Sequence, residues 1–364
     1  MAVGKLKGFS RIARGASTPL LLIALVVLVT VSGTVILPAA KQFALTEMLV
    51  MVVIAVGISI FISNTGIISF GHIGFTCLGA YATAWMTCDP MWKSLMLRDL
   101  PSFLADSQYP PVLAIVLSGV WAAFIAGIFG ATIVRLSGIA AAIATFAFLI
   151  IVSSVYSNWS DLTAGTSSVI NIPTFITPPI AACFAAAAIV IGYLFRASRI
   201  GLMLRASSDH VIAAHASAIP VLRLRLLAMV LSAFVAGSGG AIYAHFVGIL
   251  SPDNFYLGMT FTTLAMVVIG GIGSLSGAVV GVIVVTIIVQ VLRLFETGVL
   301  LGSVAIKLPN GSQEVGLAIA WILFLIFRPR GILGGVELCL PARVWARRQI
   351  LDSQLVSAAD TPRS

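Results

Sequence analysis

Five arginines fall between positions 196 and 225, a stretch that apolar runs of membrane-spanning length flank on both sides. An arginine at the centre of a bilayer costs roughly 2.5–3.5 kcal/mol on insertion scales, so this loop is expected to lie in water. Positively charged loops are retained on the cytoplasmic side, so the sequence predicts that loop 196–225 faces the cytoplasm. The arginines concerned are Arg196, Arg199, Arg205, Arg223 and Arg225.

A short helix is predicted over about 208–219, in the middle of this loop. Ser207 or Ser208 can cap it, Asp209 is favourable in its first turn, and Pro220 stops it. A helix of about three turns is too small to fold alone and longer than a simple connector needs. We therefore interpret it as a docking element for a partner protein. One stripe of the predicted helix carries Ile212, Ala216 and Ile219.

Residues 64–83, which read NTGIISFGHIGFTCLGAYAT, combine many small residues with one ionisable side chain. Small residues let helix backbones approach closely, so tight helix packing is the default interpretation of this stretch. His72 also makes it a candidate solute path, because an ionisable group in or near a membrane marks a functional site by default. A neutral histidine that bonds a neighbouring helix is the alternative, and the sequence leaves both open.

A second glycine-rich stretch, GGIGSLSGAVVG at 270–281, contains a GxxxG pair formed by Gly277 and Gly281. Tight packing is again the simplest interpretation, and a broken helix whose ends point at a charged solute is the alternative. The two stretches, with one threonine of another span, give a candidate translocation path. Its residues are Asn64, Gly71, His72, Gly74, Thr145, Gly270, Gly271 and Gly273.

Motifs of the common enzyme classes are missing from the sequence. No G-x-x-x-x-G-K-[ST] phosphate loop, H-E-x-x-H zinc motif or G-x-S-x-G nucleophile motif occurs, and no pair of intramembrane carboxylates is present. The four cysteines are far apart, with no CxxC to suggest a metal site. We therefore expect a protein that is not an enzyme and has no metal or other cofactor. The basic residues lie at the ends of apolar runs, which argues against nucleic acid as a partner.

Composition sets the fold class. Of the 364 residues, 60% are hydrophobic and only 9% are charged, whereas soluble domains carry about 25% charged residues. The sequence therefore predicts an all-α polytopic membrane protein. Sixteen lysines and arginines fall on the side of loop 196–225 and five on the other, which favours about ten transmembrane helices with both termini cytoplasmic. The predicted spans are 19–37, 45–63, 67–87, 111–134, 138–157, 176–195, 225–247, 258–272, 276–294 and 314–327.

No sizeable domain is predicted outside the membrane. Residues 1–364 are expected to form one transmembrane domain with the loop at 196–225 and a basic cytoplasmic tail at 328–364. The first apolar run is longer than the core of a signal peptide and has no clean cleavage site, so it is expected to be retained. In the tail, an interfacial helix is predicted around Arg343–Leu351.

Several of these stretches resemble the LivM-type permease subunits of branched-chain amino acid ABC importers. The 64–83 stretch is similar to that family's G-x-x-S-x-G-H-x-x-F-x-x-x-G-A-Y segment, and GLMLRASSDHVIAAHASAI is similar to its cytoplasmic loop. The resemblance covers about residues 57–335. Further matches follow in the same order at Leu227–His245, SPDNF (251–255), MVVIGGIGSLSGAVVG (266–281) and RPRGILGG (328–335).

The resemblance implies a non-catalytic permease subunit of an amino acid importer in the bacterial inner membrane. The implied partners are a sister permease subunit of the LivH type, two ATP-binding subunits, a periplasmic solute-binding protein, a small-molecule solute and membrane lipid. The helix at about 208–219 would be the coupling helix that enters a groove on an ATP-binding subunit. The family's alanine pair falls at Ala213 and Ala214, and its usual glycine is Ala218 here. The implied coupling residues are Arg205, Asp209, His210, Ala213, Ala214 and Ala218.

The identity of the solute stays open at this point. Branched-chain amino acids are expected, and urea, short amides or aromatic acids are the alternatives within the same family. A stand-alone secondary carrier is a further alternative. It would need coupling-ion carboxylates or broken helices near the midplane, for which the sequence offers only the turn at 270–277.

Overall fold

The computed structural model describes residues 2–209, 211–297, 299–301, 304–306, 309, 311–328 and 331–338. Apolar runs form its helices, and the breaks between them fall at glycine, proline or polar residues. The helices in chain order are α1 (Ala2–Ile36), α2 (Ala39–Thr65), α3 (His72–Thr87), α4 (Pro90–Met96), α5 (Ser102–Ala105), α6 (Pro111–Ile133), α7 (Gly138–Asn158), α8 (Ser160–Thr163), α9 (Pro178–Ala197), α10 (Arg199–Asp209), α11 (Val211–Ala216), α12 (Val221–Val247), α13 (Leu257–Gly270), α14 (Leu275–Thr297) and α15 (Ser312–Phe327).

Seven helices in the described part of the chain are long and apolar enough to cross a membrane: α1, α2, α6, α7, α9, α12 and α14. The shorter helices α3, α13 and α15 coincide with the other three predicted spans. Two three-residue strands, Val299–Leu301 and Val304–Ile306, form a small antiparallel ribbon between α14 and α15. The chain is an all-α polytopic membrane protein, which confirms the predicted fold class. The number of crossings and the side of the termini stay predictions.

Helices α2 and α12 form the centre of the bundle. Nearly all of the apolar, membrane-spanning segment of α2 is buried inside the bundle. Helix α12 packs against α2, α3 and α6. The hydroxyl of Ser232 in α12 donates a buried 2.6 Å hydrogen bond to the carbonyl of Gly57 in α2. A Cβ atom at Gly57 would lie 2.8 Å from the backbone nitrogen of Ala236, so the two helices meet backbone to backbone.

Small residues let α3 lie directly on α12. This contact confirms the tight helix packing that the sequence predicts for residues 64–83. A Cβ atom at Gly79 would collide with the backbone of Gly237, and one at Gly240 would collide with the carbonyl of Thr76. Any larger residue would force the two helices apart. The predicted span at 67–87 is helical only from its sixth residue onwards, where α3 begins.

The segment between α3 and α6 contains the short helices α4 and α5, and most of its residues are at least partly exposed. Lys93 in α4 is fully buried. Its amine donates hydrogen bonds to the carbonyls of Trp85 (3.3 Å), Leu104 (2.6 Å) and Ser107 (2.7 Å). Because an ammonium group has three donors, these carbonyls satisfy it fully. The lysine therefore ties α4 and α5 onto the end of α3 and is not a free loop charge.

The orientation of the bundle is tested by labelling single cysteines with a membrane-impermeant thiol reagent in a cysteine-free variant. Met91→Cys and Ser167→Cys lie at exposed positions opposite loop 196–225 and should label in intact cells. Ser217→Cys is exposed within the loop and should label only after the membrane is permeabilised. Labelling of Ser217→Cys in intact cells would contradict the predicted orientation.

Candidate functional site

Within loop 196–225 the described residues form α10 (Arg199–Asp209) and α11 (Val211–Ala216), so helical structure begins well before the helix predicted at about 208–219. Ser207 and Ser208 lie inside α10, and each hydroxyl donates to the carbonyl three residues earlier at 2.7 Å. The prediction that one of them caps the loop helix is therefore wrong. Asp209, predicted in the first turn, instead lies ten residues after the first residue of α10.

Arg205 ties α10 to the end of α2. Its Nη1 donates to the side-chain oxygen of Asn64 in α2 (2.8 Å) and to the backbone carbonyl of Arg196 (2.9 Å). The amide of Asn64 is buried and donates in turn to the carbonyl of Ile60 (2.8 Å), which fixes it for the arginine. Burial lowers the pKa of Arg205, the charge of Arg196 lowers it further, and Glu337 opposes both effects.

Arg196 ties α9 to the turn between α13 and α14. Its Nη2 donates to the carbonyl of Gly273 (2.7 Å), and its Nε forms an ion pair with the carboxylate of Glu337 (2.7 Å). The paired side chains are 15% and 19% exposed, so water and salt screen the pair much less than a surface pair. The third nitrogen, Nη1, is buried and has no hydrogen-bond partner among the residues described.

Glu337 completes this network by capping α14. Its carboxylate accepts hydrogen bonds from the backbone nitrogens of Leu275 (2.8 Å) and Ser276 (3.0 Å) and from the Ser276 hydroxyl (2.6 Å). A carboxylate at a helix N-terminus satisfies free N–H groups and interacts favourably with the helix dipole. Sequence reasoning missed Glu337 because it treated 328–364 as a polar tail. The one available signal is an isolated acidic residue just after RPRGILGG.

Segment 331–338 lies flat on the turn between α13 and α14. The backbone nitrogen of Ile332 donates to the carbonyl of Ile269 (2.8 Å). Gly331 has a φ of +76°, and a Cβ atom there would lie 2.6 Å from the Cα atom of Gly271. Both the backbone angle and the close approach require glycine at this position. The interfacial helix predicted further along the tail lies outside the described residues.

The loop arginines are not all in water, which corrects the sequence-based expectation. Arg199 and Arg223 are exposed, whereas Arg196 and Arg205 are partly buried in the network and Arg225 is buried in α12. Protein carbonyls, an amide and a carboxylate replace water around Arg196 and Arg205, which offsets the cost of their burial. The loop therefore rests on the bundle through its arginines.

In helix α11, two apolar side chains point away from the other residues that the structure describes. Ile212 is 88% exposed and Ala213 is also exposed, whereas Ala214 is only 5% exposed. Of the two alanines expected to enter a partner's groove, only Ala213 has its side chain available. Ala218 adopts a left-handed φ of +57°, a geometry that glycine reaches without strain. His210 lies outside the described residues.

Four of the predicted path residues meet where α3 begins against α7. The Thr145 hydroxyl accepts a hydrogen bond from the backbone nitrogen of Phe70 (3.2 Å), and a Cβ atom at Gly71 would lie 2.5 Å from the Thr145 carbonyl oxygen. His72 is buried, with its Nδ1 2.7 Å from the Ser69 hydroxyl, while its Nε2 has no partner in the described part of the chain. The cluster comprises Gly71, His72, Gly74 and Thr145.

The other four predicted path residues lie elsewhere. Asn64 and Gly273 accept hydrogen bonds from arginines of the loop, so the structure groups them with the loop network. Gly270 and Gly271 close α13, and a Cβ atom at Gly270 would collide with the GxxxG pair of α14. Tight packing of that pair is confirmed. The role of all eight residues in translocation stays a prediction.

The helical bundle, with loop 196–225 fixed to one of its ends, defines a polytopic membrane protein. No group of three potential metal ligands occurs among the residues that the structure describes. The model of the family described as branched-chain amino acid transport system / permease component matches residues 42–327, so the chain belongs to this family. Permeases of such transport systems are not themselves catalytic.

Two relatives carry the same transport description. The chain is 23% identical over 325 residues to the high-affinity branched-chain amino acid transport system permease protein LivM of Salmonella typhimurium. LivM of Escherichia coli is 23% identical over 322 residues. Each comparison covers 79% of this chain and 68% of the relative. No solved structure matches the chain significantly.

The capping role of Glu337 is tested by Glu337→Gln, with the exposed Glu314→Gln as the matched control. Glu337→Gln should lower the free energy of unfolding by roughly 1–3 kcal/mol, because it removes the ion pair and replaces one of the two acceptor oxygens with an amide NH₂ group that only donates. Glu314→Gln should change it by less than about 0.5 kcal/mol. Thermal unfolding of the purified proteins in detergent measures both, and equal effects would contradict the assignment.

Proposed function

We propose that this chain is the membrane-spanning permease subunit of an ABC importer for amino acids, with branched-chain amino acids as the expected solutes. It works with a sister permease subunit, two ATP-binding subunits and a periplasmic solute-binding protein, in the bacterial inner membrane. Membership of the permease family and similarity to LivM support the transport role. The observation that carries the coupling role is the exposed Ile212 on α11, in a loop that arginines fix to the bundle.

Helix α11 has the surface expected of a docking element. A large apolar side chain that is 88% exposed on a water-facing helix gains stability when a partner covers it. Burial of a side chain such as Ile212 contributes roughly 1.5–3 kcal/mol. The neighbouring Ala213 is small and exposed, so a partner's surface can approach the helix closely. These properties fit a helix that lies in a groove on an ATP-binding subunit.

The arginines give this element a direct mechanical connection to the bundle. Arg205 links α10 to α2, and Arg196 links α9 to the turn between α13 and α14. A displacement of the loop therefore acts on α2 and on the turn between α13 and α14 at the same time. Charge-assisted hydrogen bonds in a partly buried setting are stronger than neutral ones, so these links suit transmission of movement.

The chain's own part in the transport cycle is movement, and bond chemistry belongs to its partners. The sequence has no phosphate-binding loop, so ATP is hydrolysed on the separate ATP-binding subunits. Their movement at α11 rocks the closely packed helices and changes which side of the membrane the solute can reach. In this proposal residues 1–364 act as one transmembrane domain.

Docking is tested with Ile212→Asp, matched by Ile249→Asp at the opposite end of the bundle. Both positions are exposed, so both variants should accumulate in the membrane at parental levels. Ile212→Asp should retain at least about tenfold less ATP-binding subunit during affinity purification, because a carboxylate replaces the buried apolar contact. Ile249→Asp should retain these subunits fully.

A second variant separates docking from folding. Ala213→Arg adds bulk and charge at an exposed position, so it should also block retention and uptake without loss of protein. Ala214→Arg is unsuitable, because Ala214 is buried within the chain and the change would destabilise the loop itself. Parental retention and uptake in both Ile212→Asp and Ala213→Arg would contradict the proposed function.

A further inference from the structure

A cavity of about 180 Å³ lies at the end of the bundle opposite loop 196–225. Its wall includes Glu47 in α2, and the same helix meets the loop at Asn64. These positions are 17 residues apart, which places them about 25 Å apart along the helix. Residues of α2, α12, α13, α14 and α15 line the cavity, so it lies between the central helices α2 and α12 and the last three helices of the bundle.

Two opposite charges face each other in this cavity. Arg293 Nη1 lies 4.0 Å from Glu47 Oε2, which is within ion-pair range and beyond hydrogen-bond length. The two side chains are 43% and 27% exposed, which leaves both accessible from the cavity. Both residues belong to helices long enough to span a membrane, where ionisable side chains that face a cavity mark candidate solute pathways.

Neither charged group uses its full hydrogen-bonding capacity within the described residues. The Glu47 carboxylate accepts no hydrogen bond there, and its contact with Arg293 is the 4.0 Å approach. The Arg293 side chain makes one long hydrogen bond, 3.5 Å from its Nε to Gln313 Oε1. A guanidinium has five donors and a carboxylate has about four acceptor positions, so both can bind a further charged group.

The rest of the wall is suited to a small aliphatic group. Met51, Met259 and Met266 line the cavity together with Val289. Methionine is unbranched and polarisable, so it adapts to apolar groups of different shape. The volume is below the range of roughly 300–1,000 Å³ typical of pockets for drug-sized ligands, so the occupant is a small solute.

We propose that this cavity binds a zwitterionic amino acid, with the ammonium group at Glu47, the carboxylate at Arg293 and the side chain against the methionines. The proposal rests on the proposed importer function and adds the place and the residues at which its solute is bound. A neutral solute such as urea cannot pair with either charge, and an aromatic acid leaves Glu47 without a cation. The paired charges therefore select for zwitterions over both alternatives.

Three probes test the two halves of the site on the purified full-length chain in lipid nanodiscs. They are L-leucine, 4-methylpentanoate, which lacks the amine, and 3-methylbutylamine, which lacks the carboxylate. Glu47→Gln should weaken leucine binding by about tenfold or more and strengthen binding of 4-methylpentanoate, because a repulsive carboxylate is removed. Arg293→Gln should weaken leucine binding similarly and strengthen binding of 3-methylbutylamine. Equilibrium binding of the radiolabelled probes measures these changes.

Matched controls remove charges at the same end of the bundle but outside the cavity wall. Asp253→Asn and Arg98→Gln alter exposed positions and should leave binding of all three probes unchanged. A parental protein that does not bind leucine would overturn the proposal. Equal weakening of all three probes by Glu47→Gln and by Arg293→Gln would also overturn it, because an ion pair with only a structural role predicts that result.

The outcome is independent of the docking tests. The nanodiscs contain no ATP-binding subunit, so binding of leucine does not require α11 to dock. Leucine binding with the predicted charge dependence, combined with parental retention and uptake in both Ile212→Asp and Ala213→Arg, would support the site and contradict the proposed importer function. Loss of retention in Ile212→Asp without leucine binding would support the importer and overturn the site.

Discussion

The ion pair between Arg196 and Glu337 is the interaction on which one whole end of the bundle depends. Glu337 caps α14 and holds segment 331–338 in place, while Arg196 reaches the α13–α14 turn from α9. Arg205 then joins the backbone of Arg196 to α2. Removal of either charge leaves the other partly buried and uncompensated, which is far more costly than loss of a surface pair. Five separate parts of the chain, α2, α9, α10, the α13–α14 turn and segment 331–338, are therefore fixed together through these two arginines.

The two ends of the molecule differ in how completely their charges are bound. At the loop end, Arg196 and Glu337 form short contacts and also bind backbone groups. At the opposite end, Glu47 and Arg293 face a cavity with most of their donors and acceptors unused by described residues. In the proposed transporter, the first end receives movement from a partner and the second binds the solute. Helix α2 runs between them, since it contains both Glu47 and Asn64.

Composition and hydrophobic runs predict the fold class and the positions of the helices, because burial in lipid requires long apolar segments. The contacts that loop 196–225 makes with the bundle cannot be predicted from composition and hydrophobic runs. Arg205 and Asn64 are 141 residues apart, and Arg196 and Glu337 are equally far apart in the sequence, so only tertiary packing brings them together. Local patterns can also mislead. Ser207 and Ser208 suit a helix cap, yet each hydroxyl binds a carbonyl within α10 instead.

The most direct measurement is the amount of solute imported per ATP hydrolysed, in proteoliposomes that contain the complete complex. The central claim is that Arg205 transmits movement of the loop to α2. Arg205→Gln should retain the ATP-binding subunits and hydrolyse ATP, but import clearly less solute per ATP than the parent. Arg199→Gln, at an exposed position of the same helix, should keep the parental ratio. A parental ratio in Arg205→Gln would contradict the account.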